Sequence, residues 1–507
     1  MPTRNIYFFI ATVCIALFIS SKTSLKEQIL TQVANQLENN CLTPPSRDSL
    51  LQGALKGMAD AVGDEPYTAY IPPSQQEDYM REIQGQYAGV GLGEFIRDER
   101  NGGFYFVPLY NSPALKAGLK FGDRIVAVDD NDITTSSLVD VMGLLRGKEG
   151  TSVRIKVVPR SSNPDFLSPN ASSEDDAQTN DGADEIETRE ITVVRDIVRQ
   201  DPITGDRLDS NGRWVFTLAE RPEIGYIRVE SFIDDTGHKT REALAQLEKN
   251  GVTKIILDFR GNPGGFLPDA VEICNEFLSH GSPIVETRNR KGVKERYIAD
   301  KYPRKRFQVA VLIDENSASA SEIVSAALQD AGVAVVVGVR SYGKGTVQNI
   351  FELPYNFGVL RMTTSSFWRP SGAPIHRLKD STPEDEWGVV PNEGCEIPVS
   401  HAQKFFSNLV RQTRSVDAEG SETSFRSIPF ITKRTNCILD SLFKEKGLKQ
   451  LEAAFELGID ASQIEEEKER LSENEKENVD FKFVPQGNAP YYDPQLDCAI
   501  EKLLEER

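Results

Sequence analysis

Three short segments of the sequence carry groups that could hydrolyse an acyl bond. The first, residues 314–332, reads DENSASASEIVSAALQDAG and places serines between the end of an apolar run and the start of a helical pattern. A hydroxyl at such a junction lies beside the unpaired N–H groups and the positive end of the helix, which can stabilise an oxyanion. Plain N-capping by serine is the alternative, because serine is a preferred cap. This segment alone leaves both interpretations open.

A serine nucleophile needs a base, and histidine offers little here. The four histidines lie in no sharp motif and read as surface residues: His238, His280, His376 and His401. A lysine can act as the base if burial favours its neutral amine. The candidate is Lys344 in VRSYGKGTVQ (339–348). The alternative is that Lys344 is an exposed lysine in a turn. Gln348 follows on the same face of an extended segment, about 13 Å away in an ideal strand, so a contact needs a bend, which Gly345 permits.

The third segment, DFRGNPGGFLPDA (258–270), is a glycine loop between an apolar run and a helix. Such loops present backbone N–H groups, so Gly264 and Gly265 are candidate oxyanion donors. Nucleotide binding is a weaker interpretation, because the chain contains neither GxGxxG at this loop nor a GxxxxGK[ST] motif anywhere.

The elements that must position these segments alternate between strands and helices. Apolar runs at 254–259, 309–314 and 333–338 predict buried strands, and the patterns at 268–281 and 321–332 predict helices. This alternation predicts an α/β layer with a mostly parallel sheet.

The flanking sequence is less regular. Residues 25–86 are predicted to be helical and residues 87–158 to form a small β-rich domain. Residues 161–190 are acidic with almost no apolar content, which predicts a solvated, disordered insertion. Beyond residue 400 the signals weaken until a short amphipathic helix at 493–506.

The composition narrows the classes of function. The chain has 507 residues, of which 39% are hydrophobic, and this predicts a soluble globular protein with about two to four domains. Its net charge of −19 predicts no basic surface of the kind that binds nucleic acid. The cysteines are too widely spaced for a zinc cage, and their pairing stays open. Residues 6–21 form an apolar run after Arg4, so we expect an export signal or short membrane anchor within residues 1–24.

The motifs RGNPGG, SASASEI and YGKGTVQ, in this order and spacing, resemble those of the C-terminal processing (tail-specific) proteases of the S41 serine peptidase family. The resemblance implies a crotonase/ClpP-like α/β protease core, with Ser319 as nucleophile, Lys344 as general base and Gln348 positioning that lysine. It implies an oxyanion hole built from the N–H groups of Ala320 and a glycine of the RGNPGG loop. It implies no metal and no cofactor.

The β-rich segment resembles the PDZ domain that this family carries at the same place. Its carboxylate-binding loop falls on four consecutive residues: Gly89, Val90, Gly91 and Leu92. The expected organisation runs from an export segment to a variable tail: 1–24 signal or anchor, 25–86 helical region, 87–198 PDZ domain interrupted by the acidic insertion 161–190, 199–400 peptidase core and 401–507 C-terminal extension.

The sequence thus predicts an exported serine endopeptidase that cleaves near protein C-termini by a Ser–Lys dyad. The predicted partners are proteins or peptides with apolar C-termini, captured by the PDZ domain, and the N-terminal segment is expected to contact a membrane. The predicted location is periplasmic or membrane-anchored in a bacterial cell envelope. One alternative is a catalytically silent PDZ scaffold or holdase, against which the intact Ser319, Lys344 and Gln348 argue. Another is a crotonase-type acyl-CoA enzyme, against which the PDZ-like segment and the export signal argue.

Overall fold

A computed structural model describes most of the chain between residues 25 and 505. The described ranges are 25–64, 66–97, 102–109, 111–120, 123–159, 187–209, 211–301, 307–399 and 493–505. They fall into two compact groups, of which the first combines residues up to Tyr79 with Val347–Thr364 and the second combines Met80–Thr346 with the residues from Ser365 onward.

The first group consists of helices and short antiparallel strands. Its elements are α1 (Leu25–Asn40), α2 (Arg47–Asp60), β1 (Ala69–Ile71), most of α3 (Pro73–Ile83), most of β19 (Thr346–Glu352), the 3₁₀ turn Pro354–Asn356 and the start of β20 (Val359–Trp368). The Ser46 hydroxyl caps α2 by accepting from the Ser49 N–H at 3.1 Å. Strand β1 pairs antiparallel with Val359–Arg361, so two segments far apart in the sequence share one ladder.

The second group opens with the β-rich domain. Its elements are β2 (Gln86–Gly89), β3 (Leu92–Arg97), β4 (Phe104–Pro108), α4 (Pro113–Lys116), β5 (Arg124–Val128), β6 (Asn131–Asp132), α5 (Leu138–Leu145), β7 (Ser152–Val158), β8 (Arg189–Val194) and β9 (Asp196–Arg199). Strands β3, β4, β5, β7 and β8 form one sheet in that order, and β2 pairs with β9. In β7, burial alternates along the strand, as expected where one sheet face covers a core.

A mostly parallel sheet follows, as the apolar runs predict. Its elements are β10 (Ile203–Thr204), β13 (Ile224–Val229), α6 (Thr236–Lys249), β14 (Lys254–Asp258), α7 (Leu267–Phe277), β17 (Gln308–Ile313), α8 (Ala320–Asp330) and β18 (Ala334–Gly338). The strand order is β10-β13-β14-β17-β18, and the last four strands pair in parallel. The prediction of an α/β core is confirmed.

Further strands surround this sheet in the second group. They are β11 (Arg207–Leu208), β12 (Trp214–Val215), β15 (Pro283–Asn289) and β16 (Gly292–Ile298). Strand β15 pairs antiparallel with β16 and with the end of β20, at Ser366–Trp368.

The C-terminal helix α9 (Pro494–Leu504) packs on the parallel sheet. Its Ala499 and Leu503 lie in one apolar cluster with Tyr226, Ile256 and Leu312. Tyr226 thus faces α9, whereas its neighbour Gly225 faces Leu247 of α6. Because neighbouring residues of a strand point to opposite faces of the sheet, helices α6 and α9 cover opposite faces. The amphipathic helix predicted at 493–506 is therefore part of the core.

Several predictions fall on residues outside the described ranges. These are the export segment 1–24, most of the acidic insertion 161–190 and the tail from 400 to 492. Strands β7 and β8 flank the insertion and pair antiparallel without a break in register: Ser152 lies opposite Val194 at one end of the ladder, and Val157 lies opposite Arg189 at the other. In the part of the chain that is described, no helix is long and apolar enough to cross a membrane.

Candidate active site

The three predicted chemical segments follow the carboxyl ends of neighbouring strands. The glycine loop follows β14, the serine segment follows β17 and the lysine loop follows β18. Carboxyl ends of parallel strands meet at one sheet edge, where open α/β sheets place their sites. Sheet topology therefore brings together segments that are up to about 85 residues apart.

Ser319 sits at the N-cap of α8 in a backbone conformation that few non-glycine residues adopt. Its φ is 55° and its ψ is −112°, a conformation that costs roughly 1–3 kcal/mol and persists only where surrounding contacts hold it. The Ser319 carbonyl accepts from the Ile323 N–H at 2.9 Å, and its own N–H donates to Glu322 Oε2 at 2.8 Å. Small residues on both sides of Ser319 allow this tight turn, and the side chain is 7% exposed at the positive end of the helix.

The glycine loop packs directly against this turn. A Cβ on Gly264 would lie 2.7 Å from Ser319 Cβ and 2.8 Å from the Ala320 nitrogen, and its φ is +94°. No side chain fits there, so glycine is required for the close approach. The backbones of Gly264 and Ala320 are therefore neighbours, as the oxyanion prediction requires.

Asn262 ties the glycine loop to the serine segment. Its carbonyl accepts from the Ala318 N–H at 3.0 Å and from Ser321 Oγ at 3.0 Å, and its Oδ1 accepts from the Gly264 N–H at 2.8 Å. The Gly264 N–H is engaged in this bond, so the prediction of a glycine oxyanion donor depends on Gly265 and not on Gly264.

Glu322 connects the serine turn to the lysine loop. Its carboxylate accepts from Ser319 N–H at 2.8 Å and Lys344 N–H at 2.9 Å, both on Oε2, and from Gly343 N–H at 2.6 Å and Ser341 Oγ at 2.6 Å on Oε1. The backbone nitrogens of Ser319 and Lys344 thus share one acceptor oxygen. Lys344 as a whole residue is half-buried.

From the sequence, Glu322 is expected only to take part in a helix cap. Ser319 and Glu322 have the S-x-x-E spacing of a capping box, which could have predicted its bond to the Ser319 N–H. Its bonds to Ser341, Gly343 and Lys344 depend on tertiary packing. His376, read as a surface residue, is instead half-buried against this loop, where a Cβ on Gly345 would lie 2.2 Å from its backbone nitrogen.

Two further predictions concern Gln348 and the loop Gly89–Leu92. Gln348 is on β19 in the first group, where its Nε2 donates to Thr363 Oγ1 at 3.2 Å. The loop Gly89–Leu92 connects β2 to β3, and its Val90 and Gly91 carbonyls accept from Ala114 N–H at 2.8 Å and Leu109 N–H at 3.0 Å. Among the described residues, no cluster of side chains could hold a metal ion.

Burial raises the pKa of Glu322 from 4.5 to about 7, against the four donors, which lower it. A carboxyl whose folded pKa is raised contributes stability below its unfolded pKa and loses it as pH rises through the folded value. We therefore expect the unfolding free energy of the wild type, relative to Glu322→Gln, to fall by about 2–3 kcal/mol between pH 5 and pH 8. Urea unfolding of both proteins at the two pH values measures this difference.

The matched control is Glu393→Gln, which makes the same chemical change at an exposed position of the same group. Its difference from the wild type should change far less over this pH range. A wild-type advantage over Glu322→Gln that is constant, or that grows with pH, would contradict the prediction.

Comparison with known proteins adds an independent observation. Residues 223–391 match the model of peptidase family S41, and residues 110–159 match a PDZ domain model. The carboxyl-terminal-processing protease of Picosynechococcus sp. is 32% identical over 344 residues, which cover 68% of this chain and 72% of that protein. The carboxy-terminal processing protease CtpA of Bacillus subtilis is 28% identical over 371 residues, covering 73% of this chain and 69% of that protein. The solved photosystem II D1 C-terminal processing protease is 25% identical, with a TM-score of 0.43 over 76% of this chain and 90% of that one.

The α/β fold and the family match together define a serine-type peptidase with a PDZ domain. The chain belongs to peptidase family S41, and the relatives it matches are carboxyl-terminal processing proteases. The predicted family, fold class and enzyme class are confirmed.

Proposed function

We propose that this C-terminal processing protease cuts near the C-termini of exported proteins with a Ser319–Lys344 dyad. The observation that carries the proposal is the shared acceptor: Glu322 Oε2 receives the N–H groups of both residues. One buried carboxylate thereby fixes the backbone of the nucleophile relative to the backbone of the base.

The dyad acts by proton transfer and covalent catalysis. The neutral amine of Lys344 takes the proton from Ser319 Oγ, which attacks the carbonyl carbon of the scissile peptide bond. The negative charge that forms on the carbonyl oxygen is stabilised by the N–H groups of Ala320 and Gly265 at the positive end of α8. Lys344 returns the proton to the leaving amine, and water then hydrolyses the acyl-enzyme. Gln348 is proposed to position Lys344.

The PDZ domain, proposed to span residues 87–198, captures the substrate tail. Within the described residues, β3 lies at an edge of its sheet, where an extended peptide can add as a further strand. The loop Gly89–Leu92 begins that strand and would offer N–H groups to the terminal carboxylate. Exposed apolar side chains on α5, among them Val139 and Met142, favour an apolar tail.

Location follows from the N-terminal sequence. The apolar run at 6–21 supports export, with the segment acting as a signal or a membrane anchor that places the enzyme on the outer side of a bacterial inner membrane. The substrates would then be cell-envelope proteins.

Tail capture is tested with one peptide substrate made in two forms, with a free C-terminal carboxylate and with a C-terminal amide. The amide cannot receive charge-assisted hydrogen bonds at the loop, each worth about 1.5–3 kcal/mol. We therefore expect its KM to be about 10- to 100-fold higher, with the site of cleavage unchanged.

A third peptide keeps the free C-terminal carboxylate but ends in two acidic residues. Its KM shows the contribution of the apolar side chains apart from that of the carboxylate. Equal KM values for the acid and the amide would reject tail capture by the loop. Binding of the tail without cleavage of any peptide would favour the silent scaffold.

A further inference from the structure

The residues at the start of the C-terminal helix α9 contact Arg260, which lies just after strand β14 at the start of the glycine loop. Arg260 directly precedes the Gly261 of that loop, and its Nη1 lies 2.8 Å from the Asp493 carboxylate and 3.2 Å from Gln495 Oε1. On its other side, Arg260 Nε and Nη2 donate to Asp258 at 3.0 and 2.7 Å. The guanidinium is thus held between a carboxylate of β14 and a carboxylate 233 residues away in the sequence.

This pair of contacts is buried. The side chains of Asp258 and Asp493 are 0% and 3% exposed, and that of Arg260 is 12% exposed. Arg228 contributes a second positive charge, since its Nη1 lies 3.2 Å from Asp258 and its Nη2 donates to the Arg260 carbonyl at 2.6 Å. Removing one partner of such a buried network leaves an uncompensated charge in the protein interior, which is strongly destabilising.

The two residues that follow Arg260 are bonded to the serine segment. The Gly261 N–H donates to Asp314 Oδ1 at 2.8 Å, and Asn262 binds the segment around Ser319 through its carbonyl. Gly264 then packs against Ser319. Arg260 lies at the start of this loop, four residues before Gly264 and five before Gly265.

A purely structural role for Asp493 is the alternative. Its side chain caps α9 by accepting from the Leu496 N–H at 3.1 Å. A cap alone needs neither burial nor charge, because asparagine or serine serves equally well at the surface. Burying a carboxylate has a large desolvation cost, so the contact of Asp493 with Arg260 calls for a further explanation.

We propose that Asp493 is a positioning residue for the oxyanion loop: through Arg260 it holds the glycine loop in place, so that the docked helix α9 completes the active site. The proposal rests on the proposed peptidase mechanism. It assigns to the C-terminal extension an effect on catalytic rate.

The test is Asp493→Asn, which keeps a capping side chain for α9 and removes the charge that faces Arg260. We expect kcat to fall about 10- to 100-fold with less than a threefold change in KM, because a loosened oxyanion donor affects the transition state more than substrate binding. Hydrogen exchange of the peptide spanning 258–267 should become faster in the variant. Asp497→Asn is the matched control, since it neutralises a carboxylate in the first turn of the same helix and should leave both readouts near wild type.

A double-mutant cycle with Arg260→Gln separates positioning from general stability. If Asp493 acts through Arg260, adding Asp493→Asn to Arg260→Gln should not lower kcat further. Multiplicative effects, or wild-type kcat and loop exchange in Asp493→Asn, would overturn the proposal. If Asp493→Asn lost its folded state, Gln495→Met, which removes a neutral contact with Arg260 Nη1, would provide the same two readouts.

These outcomes are distinct from failure of the proposed function. An inactive wild type would reject the peptidase proposal, whereas hydrogen exchange in the loop would still report whether Asp493 positions it. An active wild type with an equally active Asp493→Asn rejects the positioning role alone.

Discussion

Replacing Ser319 by alanine is expected to lower kcat by about 10⁶-fold, the loss that follows removal of the nucleophile from a serine hydrolase. The loss is this large because the nucleophile and the base act as a unit. Alanine lacks the Oγ that attacks the carbonyl, while the N–H groups of Ala320 and Gly265 stay in place. Peptide cleavage followed by mass spectrometry, with active-site labelling by a fluorophosphonate, measures the loss. KM should change little, because substrate contacts outside the reacting carbonyl remain.

The control for this variant is Ser325→Ala. Ser325 is another buried serine of α8, and its Oγ donates to the Ser321 carbonyl at 2.7 Å within the same helix. It should retain kcat close to that of the wild type. Cleavage by Ser319→Ala at a rate within tenfold of the wild type would reject Ser319 as the nucleophile.

Replacing Lys344 by alanine is expected to reduce kcat by about 10⁴-fold or more, because a serine hydroxyl without a base is a weak nucleophile. A lysine serves as a base only in its neutral form, so the wild-type rate should rise toward alkaline pH. Initial rates from pH 6 to pH 10, with protein that remains folded throughout, give this profile.

Lys344→Arg is the informative companion variant. It places a permanent positive charge at position 344, since arginine cannot lose its proton, so it should be as inactive as Lys344→Ala. Substantial activity in Lys344→Arg, or a wild-type rate that falls above neutrality, would contradict a lysine base. The pair of variants thus separates proton transfer from electrostatic stabilisation by a cation.

These two predictions share a structural basis in Glu322. Because one carboxylate oxygen accepts from the backbones of both Ser319 and Lys344, changes that move Glu322 should affect nucleophile and base together. Deleting either reactive side chain leaves those backbone bonds in place. The predicted losses in Ser319→Ala and Lys344→Ala can therefore be assigned to chemistry, provided both variants melt near the wild-type temperature.

Much of the core could be predicted from sequence because its signals are local. The apolar runs that became β14, β17 and β18 are buried on both faces, and burial of this kind leaves a continuous hydrophobic pattern. The candidate serine, lysine and glycine loop follow these strands directly. Parallel pairing alone therefore places them at one edge of the sheet.

The other parts of the site depend on contacts between segments that are distant in sequence. Glu322 resembles an ordinary helix-cap residue until packing brings Ser341 and Gly343 to its carboxylate. Val347–Thr364 groups with residues up to Tyr79, although it lies within the predicted peptidase core 199–400. No periodic pattern in the sequence predicts either the bonds of Glu322 or the grouping of Val347–Thr364.

The sequence by itself therefore determined the family, the α/β core and the identity of the candidate nucleophile and base, because these depend on strand periodicity and short motifs. Tertiary structure alone decided that Gly264 donates to Asn262, that Glu322 joins the serine turn to the lysine loop, and that Asp493 meets Arg260 across 233 residues. The physical reason is that buried polar groups take whichever partners the packed core brings within hydrogen-bonding distance, and those partners need not be near in sequence.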